Sequence, residues 1–287
     1  MSKIEIRKIS DKKGLKQFID FRTDLYKDDP YAVPYLYMGE MGTLEAKQNP
    51  SLAFCDAEYY MAFRDGKAVG RVAAIINNRA NEQWNSKAVR FGFFDFVDDI
   101  EVSKALLDTV KDYGRKHGMD NIIGPMGFTD MDREGMLVKG FDTLASMHAN
   151  HNYAYYPKHM EQMGEFAKDN DWVMLSMPVP DAIPEKMLKV AGMIEKRYNL
   201  HARKMTRHKL LKEGYGKRFF EILNECYEHL YGFSHLDDKQ VDDLVKNYVA
   251  LADLNLITIV TDDNKGGEMV GFGVSFPSFS EALQKTK

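Results

Sequence analysis

Two histidines lie three residues apart in an aromatic stretch of the chain, at His148 and His151. Imidazoles at such a spacing occur in zinc sites, but zinc needs further ligands at a defined spacing and the sequence shows none. We therefore expect no metal here. Because tyrosines follow the pair, we assign His148 and His151 to the wall of a substrate-binding pocket. The simpler alternative, histidines on the surface without a ligand, stays open.

A second set of ligand-type residues follows the pattern Asp130-x-Asp132-x-Glu134-Gly135. It resembles the start of a calcium-binding loop, including the glycine at the sixth position. The twelfth position is Phe141, where such a loop requires a glutamate that binds through both oxygens. We therefore interpret the segment as a turn-rich loop with solvated acids, and we predict no metal cofactor.

Seven basic residues fall between positions 203 and 218, opposed only by Glu213: Arg203, Lys204, Arg207, Lys209, Lys212, Lys217 and Arg218. Such a cluster can hold an anion or a phosphate. A solvated strand face followed by a linker explains the cluster more simply.

Composition excludes several classes of protein. The chain has 287 residues, and its 44% hydrophobic content excludes intrinsic disorder. The sum of 39 basic and 43 acidic residues is −4, so no overall field attracts nucleic acid or an anionic membrane. Two cysteines make no disulfide framework, and no apolar run is long enough to span a bilayer. We expect a cytoplasmic protein with a small-molecule substrate and no nucleic-acid or membrane partner; a homodimer is compatible with the sequence.

Hydrophobic periodicity predicts the elements that must position these residues. The clearest is a β-hairpin over residues 57–76, which turns at Asp65-Gly66. Residues 88–97 and 121–124 are typical of buried strands, and a helix over 99–117 connects them, with Asp99 as its N-cap and Gly118 past its end. The pattern also predicts helices over 40–47 and 156–166, strands over 172–179 and 202–211, and a second hairpin over 256–276.

The two hairpins resemble each other, because Val69-Gly70 and Val270-Gly271 take the same place in each. The two glycines are 201 residues apart, about the length of a domain, and similarity at that distance along the chain suggests duplication of one α+β unit. The alternative, that any two hairpins look alike, stays open. We therefore divide the chain into a unit of residues 1–210 and a partial second unit, residues 211–287, with two helices and a hairpin. We expect the second copy to be truncated.

The element order over residues 3–176 (strand, helices, hairpin, strand, helix, strand, short helix, strand) resembles the GNAT N-acetyltransferase superfamily. The glycine-rich segment Gly124–Asp142 also looks like that of large, divergent bacterial members with two GNAT-like halves. The resemblance implies an α+β fold with a mixed, mostly antiparallel central sheet flanked by helices, followed by the start of a second GNAT-like unit. It also implies acetyl-CoA or CoA as cofactor, in a V between Phe91–Val97 and Asn121–Met126.

The resemblance further implies roles for residues along this V. Acyl transfer to an amine needs a base for the amine and an acid for the leaving thiolate. The family often uses a carboxylate from the central strands and a tyrosine on a later helix, which match Asp95 and either Tyr155 or Tyr156. The residues matching the cofactor site are Phe96, Val97, Ser103 and Lys104. The alternative, in which Asp95 faces solvent and the tyrosines pack with Tyr153, stays open.

The stretch that should bind the CoA pyrophosphate departs from the family pattern. Active members carry an Arg/Gln-x-x-Gly-x-Gly/Ala loop whose N–H groups hold the pyrophosphate at a helix N-terminus. Residues 98–104 instead read Asp-Asp-Ile-Glu-Val-Ser-Lys, in which Lys104 compensates at most one of three carboxylates. Two like charges 4 Å apart repel by about 1 kcal/mol in water and about 4 kcal/mol near a protein surface. We therefore predict that this scaffold binds CoA poorly or not at all, although acids that merely stabilise the helix N-terminus explain the same stretch.

The activity implied by the resemblance is that of an acyl-CoA-dependent N-acyltransferase acting on a small amine or amino-acid-like substrate, with the working CoA site in a full second half. The alternative is a non-catalytic GNAT-like module for ligand binding or dimerisation. The acids Asp98, Asp99 and Glu101 distinguish the two, because they oppose CoA but not a cationic or neutral ligand. An aminoacyl-transferring relative, like the cell-wall branching enzymes with duplicated GNAT halves, fits least, because no tRNA-binding arm is evident beyond residues 203–218.

Overall fold

The computed structural model of the protein describes residues 2–251 and 253–286, with the exception of the side chains of residues 243 and 246–251. The chain divides into two compact units. The first unit comprises residues 1–171, 231–234 and 278–287, and the second comprises residues 172–230 and 235–277. Each unit has its own β-sheet, and each is described by itself below.

The first unit is a five-stranded sheet with helices on both faces. Its strands are β1 (Glu5–Ile9), β2 (Cys55–Arg64), β3 (Lys67–Asn77), β4 (Ala88–Phe96) and β5 (Asn121–Ile123). Its helices are α1 (Lys12–Leu25), α2 (Tyr37–Leu44), α3 (Asn78–Gln83), α4 (Ile100–Lys116), α5 (Tyr155–Met163) and, near the end of the chain, α10 (Ser280–Gln284). The strand order is β1-β2-β3-β4-β5, antiparallel except for the parallel pair β4–β5, which confirms the predicted mixed sheet.

The pattern of β3 explains why both faces of this sheet are covered. Val72, Ala74 and Ile76 point into the core formed with α4, whereas Ala73 and Ile75 point into the core formed with α1 and α2. Successive strand residues point to opposite faces, so a strand that is apolar at every position must lie between two layers. Asp65 and Gly66 both have positive φ, which is the backbone of the tight turn predicted between β2 and β3.

Strand β4 is irregular where it passes β5. It pairs with β5 only through residues 88–90, and a bulge against β3 lies between its pairs Gly92–Ala73 and Asp95–Arg71. Phe93, inside the bulge, has φ 49°. A Cβ at Gly92 would lie 2.4 Å from the carbonyl oxygen of Met126, so only glycine permits this approach of the chain after β5. Beyond this point β5 has ended, and the edge of β4 continues without a strand beside it.

The second unit has a three-stranded antiparallel sheet. Its elements are α6 (Glu185–Tyr198), β6 (Leu200–Lys204), α7 (Arg207–Lys212), α8 (Tyr215–Tyr227), α9 (Asp238–Leu251), β7 (Ile257–Asp262) and β8 (Glu268–Val274), and its strand order is β6-β7-β8. The order β6-β7-β8 repeats the order β1-β2-β3, and in both sheets helices follow the first strand. A bulge leaves Val69 unpaired beside Gly70 in β3, and a bulge leaves Val270 unpaired beside Gly271 in β8. The two sheets thus share element order, strand order and the position of the bulge.

Two predicted strands are wrong. The structure gives residues 172–179 neither helix nor strand, since Pro178 and Pro180 lack the N–H groups that a sheet requires. The strand predicted over 202–211 is instead β6 followed by α7, because Thr206 accepts a hydrogen bond from the N–H of Lys209 and so begins a helix. Helix α2 begins three residues earlier than predicted and ends at Leu44. The predicted boundary between units at residue 210 stays a prediction.

Candidate functional site

The candidate site is the cleft beside β4, where β5 has ended. The N–H of Val97 donates to Val69 on β3, at 3.0 Å. Because backbone groups of successive strand residues point to opposite edges, the N–H and C=O of Phe96 face away from β3 and into the cleft. This is the edge of β4 that the sequence comparison with GNAT proteins assigned to the cofactor.

Two tyrosines of α5 occupy that edge. Tyr156 accepts a hydrogen bond from the N–H of Phe96 at 3.0 Å, and Tyr155 donates to the C=O of Phe96 at 2.5 Å. The ring centroids of Tyr156 and Phe96 lie 4.1 Å apart, and Tyr26, which directly follows α1, donates to the Tyr156 hydroxyl at 2.8 Å. Tyr156 is only 1% exposed. Side chains of the protein therefore fill the cleft at this point and use both backbone groups of Phe96.

The same contacts set the chemistry of the tyrosine hydroxyls. Burial raises the pKa of Tyr155 and, more strongly, the pKa of Tyr156 above the ordinary value for a phenol. Both hydroxyls are therefore neutral at physiological pH. The structure brings Tyr155 and Tyr156 together with Phe96 and holds them there as packing and hydrogen-bonding groups. A role for either tyrosine as an acid stays a prediction.

A serine, a histidine and an aspartate fasten α5 to the first turn of α4. Ser103 Oγ lies 2.9 Å from Nδ1 of His159, and Nε2 of His159 lies 3.0 Å from Asp98 Oδ1. Ser103 is fully buried and also donates to the C=O of Ile100 at 3.1 Å. The group has the residue types of a hydrolase triad, but a buried serine engaged in this way cannot reach a substrate. It acts as a clamp on α5, and sequence analysis missed His159 because its partners are more than 50 positions away.

The N-terminus of α4 is capped by the protein itself. Asp99 Oδ1 accepts from the N–H of Glu101 at 3.0 Å, so a carboxylate already lies where an anion would bind. Arg64 on β2 pairs with Asp99 at 2.6 Å and with Glu101 at 2.7 Å. Lys104 does not compensate these acids, since it pairs with Asp108 one turn along the helix at 2.8 Å. The predicted cofactor residue Val97 is half-buried beside this cap.

Asp95 is the partner of a buried arginine. It is 5% exposed, and Nε and Nη2 of Arg71, which is 1% exposed, both lie 2.8 Å from its Oδ2. Arg71 also donates to the C=O of Phe18 at 3.0 Å and lies 3.9 Å from Glu40 on α2. A carboxylate that balances a buried guanidinium is costly to remove or to expose. The proposed role of Asp95 as a base stays a prediction.

The two predicted pocket histidines lie apart. His151 is buried, and its Nε2 is 2.9 Å from Asp29 Oδ2, whereas His148 is exposed on a loop. Although burial opposes it, hydrogen bonds from His151 and from two backbone N–H groups lower the pKa of Asp29. His151 thus contributes to the core beneath the loop, and the structure does not bring the pair to one wall.

Two acids of the motif Asp130-x-Asp132-x-Glu134 lie near a buried arginine, Arg90. Asp130 and Glu134 are half-buried near Arg90, and burial raises the pKa of Asp130 to about 6 and that of Glu134 to about 8. Arg90 donates to the C=O groups of Gly127, at 3.2 Å, and Gly232, at 3.3 Å. No group of histidine, cysteine, aspartate or glutamate within the described ranges is arranged to hold a metal ion. These acids therefore surround a buried arginine.

Comparisons with known proteins bear on the fold of the chain. No family model matches the chain. Protein YghO of Escherichia coli (strain K12) is 28% identical over 278 residues, which make up 97% of this chain and 69% of that protein. Bacterial ceramide synthase of Caulobacter vibrioides (strain NA1000 / CB15N) is 26% identical over 275 residues, which make up 95% of this chain and 70% of that protein.

Among solved structures, a tandem GNAT protein from the clavulanic acid biosynthesis pathway, determined without AcCoA, matches 96% of this chain and 76% of its own, at 13% identity and a TM-score of 0.50. That match extends over both units, and the first sheet has the predicted mixed order with its single parallel pair. The protein therefore has the fold of a divergent GNAT protein with two GNAT-like halves.

Proposed function

We propose that the protein is an N-acyltransferase that transfers an acyl group from acyl-CoA to an amine, and that its first unit does not bind the CoA. The family fold and two relatives aligned over 95% and 97% of the chain support the reaction class. One of these relatives is named for making ceramide, an amide of a long-chain amine. That name favours a long-chain amine as acceptor over the small amine or amino-acid-like substrate expected from sequence.

The proposal that the first unit does not bind CoA depends on the hydrogen bonds of the Phe96 backbone. A cofactor lying along β4 would need the N–H and C=O that Tyr156 and Tyr155 already use. To admit it, α5 would have to leave, which would expose Tyr156 and break the clamp at His159. At the N-terminus of α4, the Asp99 carboxylate already accepts a hydrogen bond from the N–H of Glu101, so a pyrophosphate would have to displace a carboxylate there.

The second unit is the candidate for donor binding. Its sheet repeats the order and the bulge of β1-β2-β3, and we interpret this as duplication of one GNAT-like unit. The aligned region is 69% and 70% of the two curated relatives, so those proteins have further chain in which a second β4–β5 pair can form. We propose that acyl-CoA binds in the second half of such a protein, while the first half supports it.

The test is acceptor-dependent release of CoA thiol by the full-length protein. Acetyl-CoA and palmitoyl-CoA are the donors, and glycine and a long-chain amino alcohol are the acceptors. We expect release with the long-chain acceptor. Lys104→Ala should leave the KM for acyl-CoA within about twofold of wild type. Lys116→Ala, at the other end of α4, is the matched control, since both lysines are exposed.

Two results would contradict the proposal in different ways. Absence of acceptor-dependent release with every pair of substrates would reject the N-acyltransferase activity. A KM raised about tenfold by Lys104→Ala, but not by Lys116→Ala, would show that acyl-CoA binds at the first unit after all.

The closed cleft also favours a second candidate, a non-catalytic GNAT-like module for ligand binding or dimerisation. That candidate requires no thiol release under any condition. It also predicts that the protein is a dimer by light scattering, or that it binds a ligand other than CoA. Acceptor-dependent turnover would exclude it.

A further inference from the structure

Helix α6 of the second unit has an apolar stripe. Its members, Met187, Val190, Ile194 and Tyr198, follow one another at steps of three and four residues, so they lie on one side of the helix. Their exposed fractions are 63%, 41%, 45% and 50%. A soluble helix normally buries such a stripe against a core, and no residue of α6 is buried. The stripe therefore faces outward, without cover from the described chain.

The chain before α6 also exposes apolar side chains. Leu175, Met177 and Val179 are 87%, 82% and 92% exposed, and Trp172 is 49% exposed. Met177 and Val179 alternate with prolines, and residues 172–179 form neither helix nor strand. Isolated exposed apolar side chains are ordinary, but so many within one stretch of chain point to a contact surface.

The charge around the stripe identifies the kind of surface that it contacts. Helix α6 itself contains four basic residues, Lys186, Lys189, Lys196 and Arg197, and only two glutamates. The two glutamates pair within the second unit, Glu185 with Lys189 at 3.6 Å and Glu195 with His201 at 2.9 Å. Lys186 and Arg197 form no ion pair with any residue that the structure describes. At 100° per residue these two cations lie beside the stripe, between its apolar side and the polar side of the helix.

We propose that α6 lies flat on the surface of an anionic lipid bilayer, with its apolar stripe in the boundary between headgroups and acyl chains. An apolar stripe beside Lys and Arg is the pattern of an interfacial helix, because the long basic side chains reach the phosphates while their stems stay apolar. Trp172 fits the same region, since tryptophan is enriched where the bilayer meets water. Among the described helices, none is long and apolar enough to cross a membrane, so the contact is peripheral.

The test is co-sedimentation of the full chain with vesicles, without any acyl donor or acceptor. One set of vesicles is phosphatidylcholine alone, and the other contains about one third phosphatidylglycerol. We expect binding to the anionic vesicles that weakens as salt rises. Met187→Ser with Ile194→Ser should weaken that binding about tenfold or more. Lys186→Glu with Arg197→Glu should abolish the preference for phosphatidylglycerol.

The control is Met38→Ser on α2, because Met38 is 77% exposed and lies outside the second unit. It should bind vesicles as wild type does. Circular dichroism of every variant checks folding, which exposed positions should not disturb. The proposal is overturned if wild type ignores both kinds of vesicle or if the stripe variants bind unchanged. It is also overturned if those variants alter only the oligomeric state by light scattering, since the stripe then contacts protein. None of these results depends on acyl-transfer activity.

Discussion

The hydroxyl of Tyr156 is the group whose removal tests the closed cleft most directly. It makes two hydrogen bonds inside the first unit, one from the N–H of Phe96 at 3.0 Å and one with the hydroxyl of Tyr26 at 2.8 Å. Tyr156→Phe deletes one oxygen atom and keeps the ring, so the aromatic contact with Phe96 at 4.1 Å survives. The substitution therefore separates hydrogen bonding from packing.

The expected loss of unfolding free energy depends on the two polar groups that lose their hydrogen-bond partner. Phe96 is fully buried and Tyr26 is 3% exposed, so water cannot replace the lost partner. A buried polar group without a partner costs about 1–3 kcal/mol, and Tyr156→Phe leaves two such groups, which gives about 2–6 kcal/mol. The comparison is Tyr26→Phe, which removes one hydrogen bond and leaves Tyr156 bound to Phe96. It should cost about 0.5–1.5 kcal/mol.

The assay is urea unfolding of the whole chain, followed by a tryptophan that reports only on the first unit. Trp84 belongs to that unit and donates to the C=O of Phe233 at 2.8 Å, whereas Trp172 belongs to the second unit. A Trp172→Phe background therefore leaves one tryptophan whose fluorescence reports on the first unit. The shift in midpoint multiplied by the slope gives the change in unfolding free energy.

The closed cleft requires that Tyr156→Phe lowers the unfolding free energy more than Tyr26→Phe does. If Tyr26→Phe destabilised the first unit as much as Tyr156→Phe, the N–H of Phe96 would not depend on Tyr156. If both variants were neutral, the cleft would be open to water in solution. In either case the edge of β4 would be available to a cofactor, and the reasoning for a first unit without CoA would fail.

Three further predictions address charged side chains of the first unit. Arg71→Met should destabilise the first unit by about 3–5 kcal/mol, because it leaves Asp95 buried and unpaired; urea unfolding measures this, and a cost below that of Tyr26→Phe would refute it. Because the pKa of Glu134 is raised from 4.5 to about 8, the folded protein binds a proton that the unfolded chain releases, so stability should fall between these pH values, and Glu134→Gln should flatten the profile. Asp99→Gly with Glu101→Gly should gain no CoA affinity by calorimetry, because the cleft stays closed; measurable heat would mean that charge alone blocks the site.

The sequence predicted those features of the first unit that depend on near neighbours along the chain. The hairpin at Asp65-Gly66, the apolar strand β3 and the cap at Asp99 each depend on residues within a few positions, and all three are found. Features that depend on distant partners were missed. Sequence reasoning identified the acids at the α4 N-terminus but assigned them Lys104 as partner, whereas Arg64 reaches them from β2. The closed cleft is of the same kind, since Tyr156 reaches Phe96 across 60 positions.

The net charge of the whole chain is a poor guide to the surfaces that one part of it can bind. The net charge of −4 argued against an anionic membrane, yet residues 185–212 alone contain nine basic and two acidic residues. In physiological salt a charge acts over about 8–10 Å, less than the roughly 21 Å length of a 14-residue helix such as α6. A surface therefore responds to the charges near it and not to the sum.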